Sequence, residues 1–128
     1  MTGLHLTTDL SDCAPTGAVC WSIEALRAHC LAAVSTSGLQ AVGELFHTFS
    51  PAGSGVTGVV LLAESHLAVH TWPELNAATV DVYVCNFGQD NSSNAHALLR
   101  LLEVPFGAGQ AERHQLKRGA LPNKPAAA

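Results

Sequence analysis

The sequence predicts an α+β fold, a two-layer α/β sandwich with a mostly antiparallel sheet and two main helices on one face. Three observations predict it. Apolar residues recur with period two in several short stretches and at three- or four-residue spacing in two longer ones. The resulting order, β-α-β-β-β-β-α-β, lacks the regular alternation that builds a parallel sheet. The 128 residues, 48% hydrophobic and 12% charged, suit one domain with a real core and a surface short of charge.

Leu4, Leu6, Thr8 and Leu10 alternate with His5, Thr7 and Asp9, which predicts an edge or half-buried strand. Pro15 and Gly17 mark a loop. From Ala18 the spacing lengthens. Val19, Ile23, Leu26, Cys30 and Val34 form one helical face, and Gly38 suits the left-handed residue that ends a helix. Residues 41–49 predict a strand and residues 50–55 a turn; the apolar, β-branched run 56–63 predicts a central strand. A short extended piece, 66–71, is stopped by Pro73. In 79–85, Val80, Val82 and Val84 point one way and Thr79, Asp81, Tyr83 and Cys85 the other. Asn91 and Ser92 are placed to cap a second helix striped by Ala95, Leu98, Leu99 and Leu102, and residues 111–117 predict a last strand. The domain is expected to cover 1–121, with a disordered Pro- and Ala-rich tail at 122–128.

Composition excludes several classes. The formal net charge is −4 and Lys117–Arg118 is the sole adjacent basic pair, so nucleic acid is not an expected partner. No apolar run approaches the roughly 20 residues that span a bilayer, and Met1 to Leu10 does not read as a secretory leader, so a cytoplasmic location is expected with no membrane partner. No two of Cys13, Cys20, Cys30 and Cys85 form a C-x-x-C pair. The first three are expected to be small buried hydrophobes.

Three chemistries can be set aside. His66 and His70 on a strand stand roughly 13 Å apart, too far to share one metal ion. Ser65 lacks the G-x-S-x-G setting of a hydrolase nucleophile. The glycines at 53–58 lead into a strand, not into a phosphate-binding helix. A fourth fits better. Ser65 ends an apolar strand with Glu64 before it and His70 five residues on, and Cys85 ends another strand whose polar side can face the same place. A serine hydroxyl held against the preceding carbonyl can attack it and form an ester. A base that takes the serine α-hydrogen then expels the ester, and hydrolysis of the resulting dehydroalanine leaves a pyruvoyl ketone. Such a reaction needs a strained turn at the scissile bond and a nearby base and acid.

The stretch E-S-H-L-A-V-H-T-W-P-E, residues 64–74, resembles the signature of prokaryotic S-adenosylmethionine decarboxylase proenzymes. Further resemblances are His5-Leu6 with Asp9-Leu10 and Cys13, the F-H-T-F of 46–49, the G-V-T-G-V-V of 55–60 and the D-V-Y-V-C of 81–85; residues 112–119 resemble the family's H-x-x-x-R-G-like end. The resemblance implies a two-layer sandwich and self-cleavage between Glu64 and Ser65, giving a β chain of 1–64 and an α chain of 65–128 that begins with the pyruvoyl group. That ketone would form an imine with the α-amino group of a small amino-acid-type substrate and accept the electrons left as carbon dioxide departs. It further implies His70 as the processing base that removes the Ser65 α-hydrogen, Thr57 as support for the processing intermediate, and Cys85 as the general acid. Phe49 would stack on adenine and Glu74 would hold the ribose hydroxyls. No metal and no pyridoxal phosphate are implied, and a homodimer of cleaved αβ units is, with sites near the subunit interface.

The chain also departs from that pattern. Leu75-Asn76-Ala77 replaces a common Tyr-Gly-Tyr, Asn86 stands where Gly follows the cysteine, and the loop 50–54 is slightly longer. Relatives on the same fold decarboxylate ornithine or arginine, so these remain alternative substrates. A homologue that binds or builds without processing is the alternative of another class; Ser65, His70, Thr57 and Cys85 together argue against it.

Overall fold

In the computed structural model, residues 2–51 and 53–119 are described. Six strands form one sheet: β1 (Gly3–Ser11), β2 (Ala41–Thr48), β3 (Val56–Leu62), β4 (Ser65–Trp72), β5 (Ala77–Cys85) and β6 (Gln110–Arg118). Their order across the sheet is β2-β3-β4-β5-β1-β6, and every neighbouring pair is antiparallel. Helices α1 (Ile23–Thr36) and α2 (Ser92–Glu103) pack together over one face. This is the two-layer α+β sandwich that the period-two and period-four stretches predict.

Strand alternation decides what the helices cover. Leu4, Leu6, Val60, Leu67, Val69, Val80, Val82 and Val84 all point into the core, where they meet Leu26, Val34, Leu98 and Leu102 from the helices. Each fully buried aliphatic side chain contributes about 1.5–3 kcal/mol, so this layer carries the fold. Phe46 lies across Gly58 on the adjacent strand; a Cβ there would fall 2.1 Å from the ring, so the pairing of β2 with β3 requires the glycine.

The helix ends follow from their caps. The Ser22 hydroxyl accepts from the Ala25 N–H at 3.2 Å and starts α1, and Gly38, with φ +85°, follows its end. At α2 the capping oxygen comes from Asp90, whose carboxylate accepts from the Ser92 N–H at 2.9 Å; that bond holds the Asp90 carboxyl below its ordinary pKa. Asn91 occupies the N-cap position, but its side chain does not cap. Glu103 closes α2 onto the sheet: it accepts from the buried Thr8 hydroxyl at 3.2 Å and from Arg113 of β6 at 3.0 Å.

Several expectations are corrected. β1 is no edge strand; it lies between β5 and β6, although it is buried on one side only. The first helix does not begin at Ala18. A 3-10 turn, Ala18–Cys20, precedes it and buries Val19, while Cys20 is exposed and its thiol donates to the Pro15 carbonyl. The apolar run of β3 is second from the sheet edge and covered on one face, with Leu61 51% exposed on the other. A run of Val and Leu looks alike whether one face is covered by helices or both are. The expected boundary at 121 and the tail at 122–128 lie outside the described residues.

Cys30 is fully buried in α1, and burial, with Glu44 nearby, pushes its thiol from the ordinary 9.0 up to about 12. The unfolded chain ionises this thiol near pH 9 while the folded chain keeps it neutral. Its contribution is therefore complete below pH 9 and lost as pH rises towards 12. The stability difference between wild type and Cys30→Ala is expected to shrink across that window, measured by urea unfolding at stepped pH; a constant difference would refute the assignment.

Candidate active site

Strands β3 and β4 form a hairpin whose last pair is Leu62 with Ser65, so Ala63 and Glu64 make the turn. Glu64 has φ +56°. A non-glycine residue there stores on the order of 1–3 kcal/mol, held in place by the ladders on either side. The strain thus sits on the residue whose carbonyl precedes the Ser65 nitrogen.

Beyond this turn β4 has no backbone left to offer β5. The register pairs His66 with Tyr83, so Cys85 falls opposite Glu64, which has left the strand. The Cys85 N–H and C=O still need partners. Side chains supply both. The N–H donates to Ser65 Oγ at 3.2 Å, and the C=O accepts from Asn91 Nδ2 at 3.0 Å. Cys85 and Ser65 are therefore joined at one end of the sheet, in a partly buried setting.

Thr57 and His70 are paired at the other end of the same hairpin, with Thr57 Oγ1 and His70 Nδ1 3.0 Å apart. If Nδ1 carries the proton it donates to Thr57, and Nε2 is left free to accept one. The Trp72 ring stacks on His70 at 5.8 Å, and Phe49 meets His47 edge-on at 4.9 Å. Glu74 follows in the short 3-10 turn Pro73–Leu75 and is exposed, as is Phe49. Phe49 and Glu74 thus lie past the ends of β2 and β4, at the same end of the sheet as the Thr57–His70 pair.

Within one chain, His70 does not lie close to Ser65. Five residues of β4 separate Ser65 from His70, which is about 17 Å at strand rise. They also have opposite parity: His66, Ala68 and His70 share the face without helices, whereas Leu67 and Val69 point into the core. The structure unites Ser65 with Cys85, and Thr57 with His70, and keeps the two pairs apart.

Sequence reasoning missed two groups. On the open face His5 Nε2 lies 3.0 Å from Asp81 Oδ2, the His5 and His66 rings both contact Tyr83, and Arg118 covers the Tyr83 ring at 5.3 Å. The alternation of β1, β4 and β5 places His5, His66, Asp81 and Tyr83 outward, but only the sheet order makes them neighbours of one another and of Arg118 on β6. Asn91 was read as a helix cap; its bond to Cys85 depends on where the loop returns.

Residues 4–119 match the family model described as S-adenosylmethionine decarboxylase. The chain belongs to the S-adenosylmethionine decarboxylase family. An S-adenosylmethionine decarboxylase proenzyme of Acidithiobacillus ferrooxidans is 43% identical over 89 residues, 70% of this chain and 62% of that protein. One from Thermococcus kodakarensis is 33% identical over 117 residues, 91% of this chain and 76% of its own length. The crystal structure of the Aquifex aeolicus adenosylmethionine decarboxylase superposes with a TM-score of 0.81 at 30% identity, covering 95% of this chain and 94% of that one. Against the Acidithiobacillus relative the match spans less than two thirds of the relative's length.

The strain at Glu64 is directly measurable. In a Ser65→Ala chain, which has no hydroxyl to react, Glu64→Gly is expected to be more stable than Glu64→Ile by about 1–2 kcal/mol, because a left-handed backbone penalises a β-branched residue and not glycine. Equal stabilities in urea unfolding would show that the turn is unstrained.

Proposed function

We propose that the chain is a self-cleaving proenzyme that cuts itself between Glu64 and Ser65 and then decarboxylates S-adenosylmethionine. The observation that carries this reading is the Ser65 hydroxyl, fixed by the Cys85 N–H and set directly after a left-handed Glu64. Ser65 Oγ attacks the Glu64 carbonyl carbon, the Glu64–Ser65 C–N bond breaks, and the hydroxyl proton passes to the freed amine. An ester now joins Glu64 to Ser65. His70 Nε2 takes the Ser65 α-hydrogen, the Cβ–Oγ bond breaks, and Glu64 leaves as a carboxylate carrying that oxygen. The dehydroalanine tautomerises, and water replaces its nitrogen with release of ammonia.

Once formed, the pyruvoyl group supplies the carbonyl that withdraws electrons as carbon dioxide leaves. The chain's residues fit it: Ser65 provides its atoms, and Cys85 beside it holds a proton for the product carbon. Thr57 orients His70 through Nδ1. Phe49 offers a ring face to adenine and Glu74 a carboxylate to ribose. Neither a metal nor pyridoxal phosphate enters. The product is an aminopropyl donor for spermidine and other polyamines, which accords with a cytoplasmic enzyme that acts on a small molecule and has no nucleic-acid or membrane partner.

Because His70 is about 17 Å from the Ser65 of its own chain, the reading calls for a homodimer of αβ units. The open face supports this. Leu45 and Leu61 are exposed there, and with Glu44, His47, Thr57 and Val59 they line a mostly apolar hollow of about 340 Å³. A two-fold axis lying in the sheet plane and across the strands stacks two such faces with their strands reversed, which carries Thr57 and His70 of one subunit to the sheet end where the other has the Glu64–Ser65 turn and Cys85. Cys85 is in phase with Asp81 and Tyr83 on the open face, and Ser65 stands at the strand end beside it.

Denaturing mass spectrometry of the full chain should show fragments 1–64 and 65–128, with Ser65→Ala intact; an uncut wild type would refute self-cleavage. Ser65→Ala and His70→Ala chains, each uncut alone, should restore cleavage of the His70→Ala chain when co-expressed, and an intact mixture would refute the shared site. Carbon dioxide release should occur with S-adenosylmethionine and not with ornithine or arginine. Release only from the free amino acids would reassign the substrate, to which the loss of both aromatic rings at Leu75 and Ala77 is relevant.

A further inference from the structure

The end of β5 is held by a loop whose polar groups are spent on one another. The Asn86 N–H donates to the Thr2 carbonyl at 2.8 Å, so the strand is still tied to β1 at this point. Asn86 Oδ1 accepts from the Asn91 N–H at 2.8 Å, and Asn86 Nδ2 donates to Ser92 Oγ at 3.3 Å. The Asn91 amide is fixed in orientation: its Oδ1 accepts from Gln89 Nε2 at 2.8 Å, which turns Nδ2 towards the Cys85 carbonyl. Asp90 takes over the capping of α2 that an Asn at this position ordinarily performs. The Asn91 side chain therefore does no work for its own helix. It serves the one peptide of β5 that has lost its ladder partner.

We propose that Asn91 is a positioning residue for self-cleavage, fixing the Cys85 peptide so that the Cys85 N–H holds the Ser65 hydroxyl beside the Glu64 carbonyl. The inference rests on the self-cleavage reading and deepens it. The chain of bonds runs from Asn91 Nδ2 to the Cys85 carbonyl and from the Cys85 N–H to Ser65 Oγ. Without the first bond the Cys85 peptide loosens, because the remaining ties at this point, to β1 and to the start of α2, act on Asn86 and not on the Cys85 carbonyl. A partly buried carbonyl left without a donor then turns towards water, and the Cys85 N–H swings away from Ser65. Attack by a hydroxyl needs its oxygen close to the carbonyl carbon and in line, so a displacement near 1 Å costs up to about a hundredfold in rate.

The substitution that separates this role from folding is Asn91→Asp. It keeps the size, keeps the acceptor for Gln89, and adds a negative charge at the start of α2, which favours the helix. It removes the donor to Cys85. Wild type, Asn91→Asp and Asn91→Ala would be made as full chains in a cell-free system and followed by denaturing mass spectrometry. Both variants should cut more slowly by about tenfold to a hundredfold. With Ser65→Ala added so that no chain can cut, the melting temperature of Asn91→Asp should equal or exceed that of Asn91→Ala, because only the alanine also loses the Gln89 bond and the charge at the helix start. The delay should fall before ester formation, so hydroxylamine, which cuts esters, should release no extra fragment from either variant. Cleavage at the wild-type rate in both would overturn the proposal, as would accumulated ester, or rates that follow the melting temperatures so that Asn91→Asp cuts much faster than Asn91→Ala. A wild type that never cuts would remove the self-cleavage reading itself and this role with it, an outcome distinct from wild-type cutting with unaffected variants.

Discussion

The register of the β3–β4 hairpin is the constraint on which the rest depends. Because Leu62 pairs with Ser65, Thr57 must meet His70, and Ser65 must stand at the opposite end from both. The same pairing fixes which face each side chain takes. A slip of one residue would turn His66 and His70 into the core and Leu67 and Val69 out to solvent. The burial of those aliphatic residues under the helices therefore holds the polar residues in place. Packing and chemistry are two faces of one register.

The two faces of the sheet are unequal for the same reason. Helices α1 and α2 satisfy one face with aliphatic contacts. The other keeps His5, Asp81, Tyr83, His66, Thr57 and His70, together with exposed Leu45 and Leu61. Polar groups at the centre of a sheet face cost little while water reaches them, and become costly if covered without partners. His5 with Asp81 and Thr57 with His70 are already paired within the chain, so a second surface could close over this face without stranding them. In the proposed dimer, apolar Leu45 and Leu61 favour that closure, and the paired groups make it affordable.

Much of the fold was legible because period is a local signal. The alternation at 79–85 and the three-to-four spacing of Leu26, Cys30 and Val34 each follow from which face meets the core. What stayed hidden was non-local. The period of β1 says that one face is buried, but nothing in it says that β6 returns from the far end of the chain to cover its outer edge. Cys20 was misjudged because its burial was expected from residue type alone, whereas the 3-10 turn ahead of α1 buries Ala18 and Val19 and leaves Cys20 exposed with its thiol on the Pro15 carbonyl. The site was legible as residues and not as geometry. The motif that starts at Glu64 brings Ser65 and His70 near each other along the sequence, and strand rise then carries them about 17 Å apart. Sequence proximity on a strand is separation in space.

That separation gives the Glu64 turn its meaning. A left-handed Glu64 is tolerated because Leu62–Ser65 closes the ladder on one side and the Cys85 N–H holds Ser65 Oγ on the other. In the proposed reaction the strained peptide is the one that breaks, so the strain is released on scission and opposes its reversal. The residues that hold the strain also hold the nucleophile. A ladder that stops one residue short leaves a backbone N–H without a carbonyl, and the serine hydroxyl that fills this role is thereby held next to the bond it would cut.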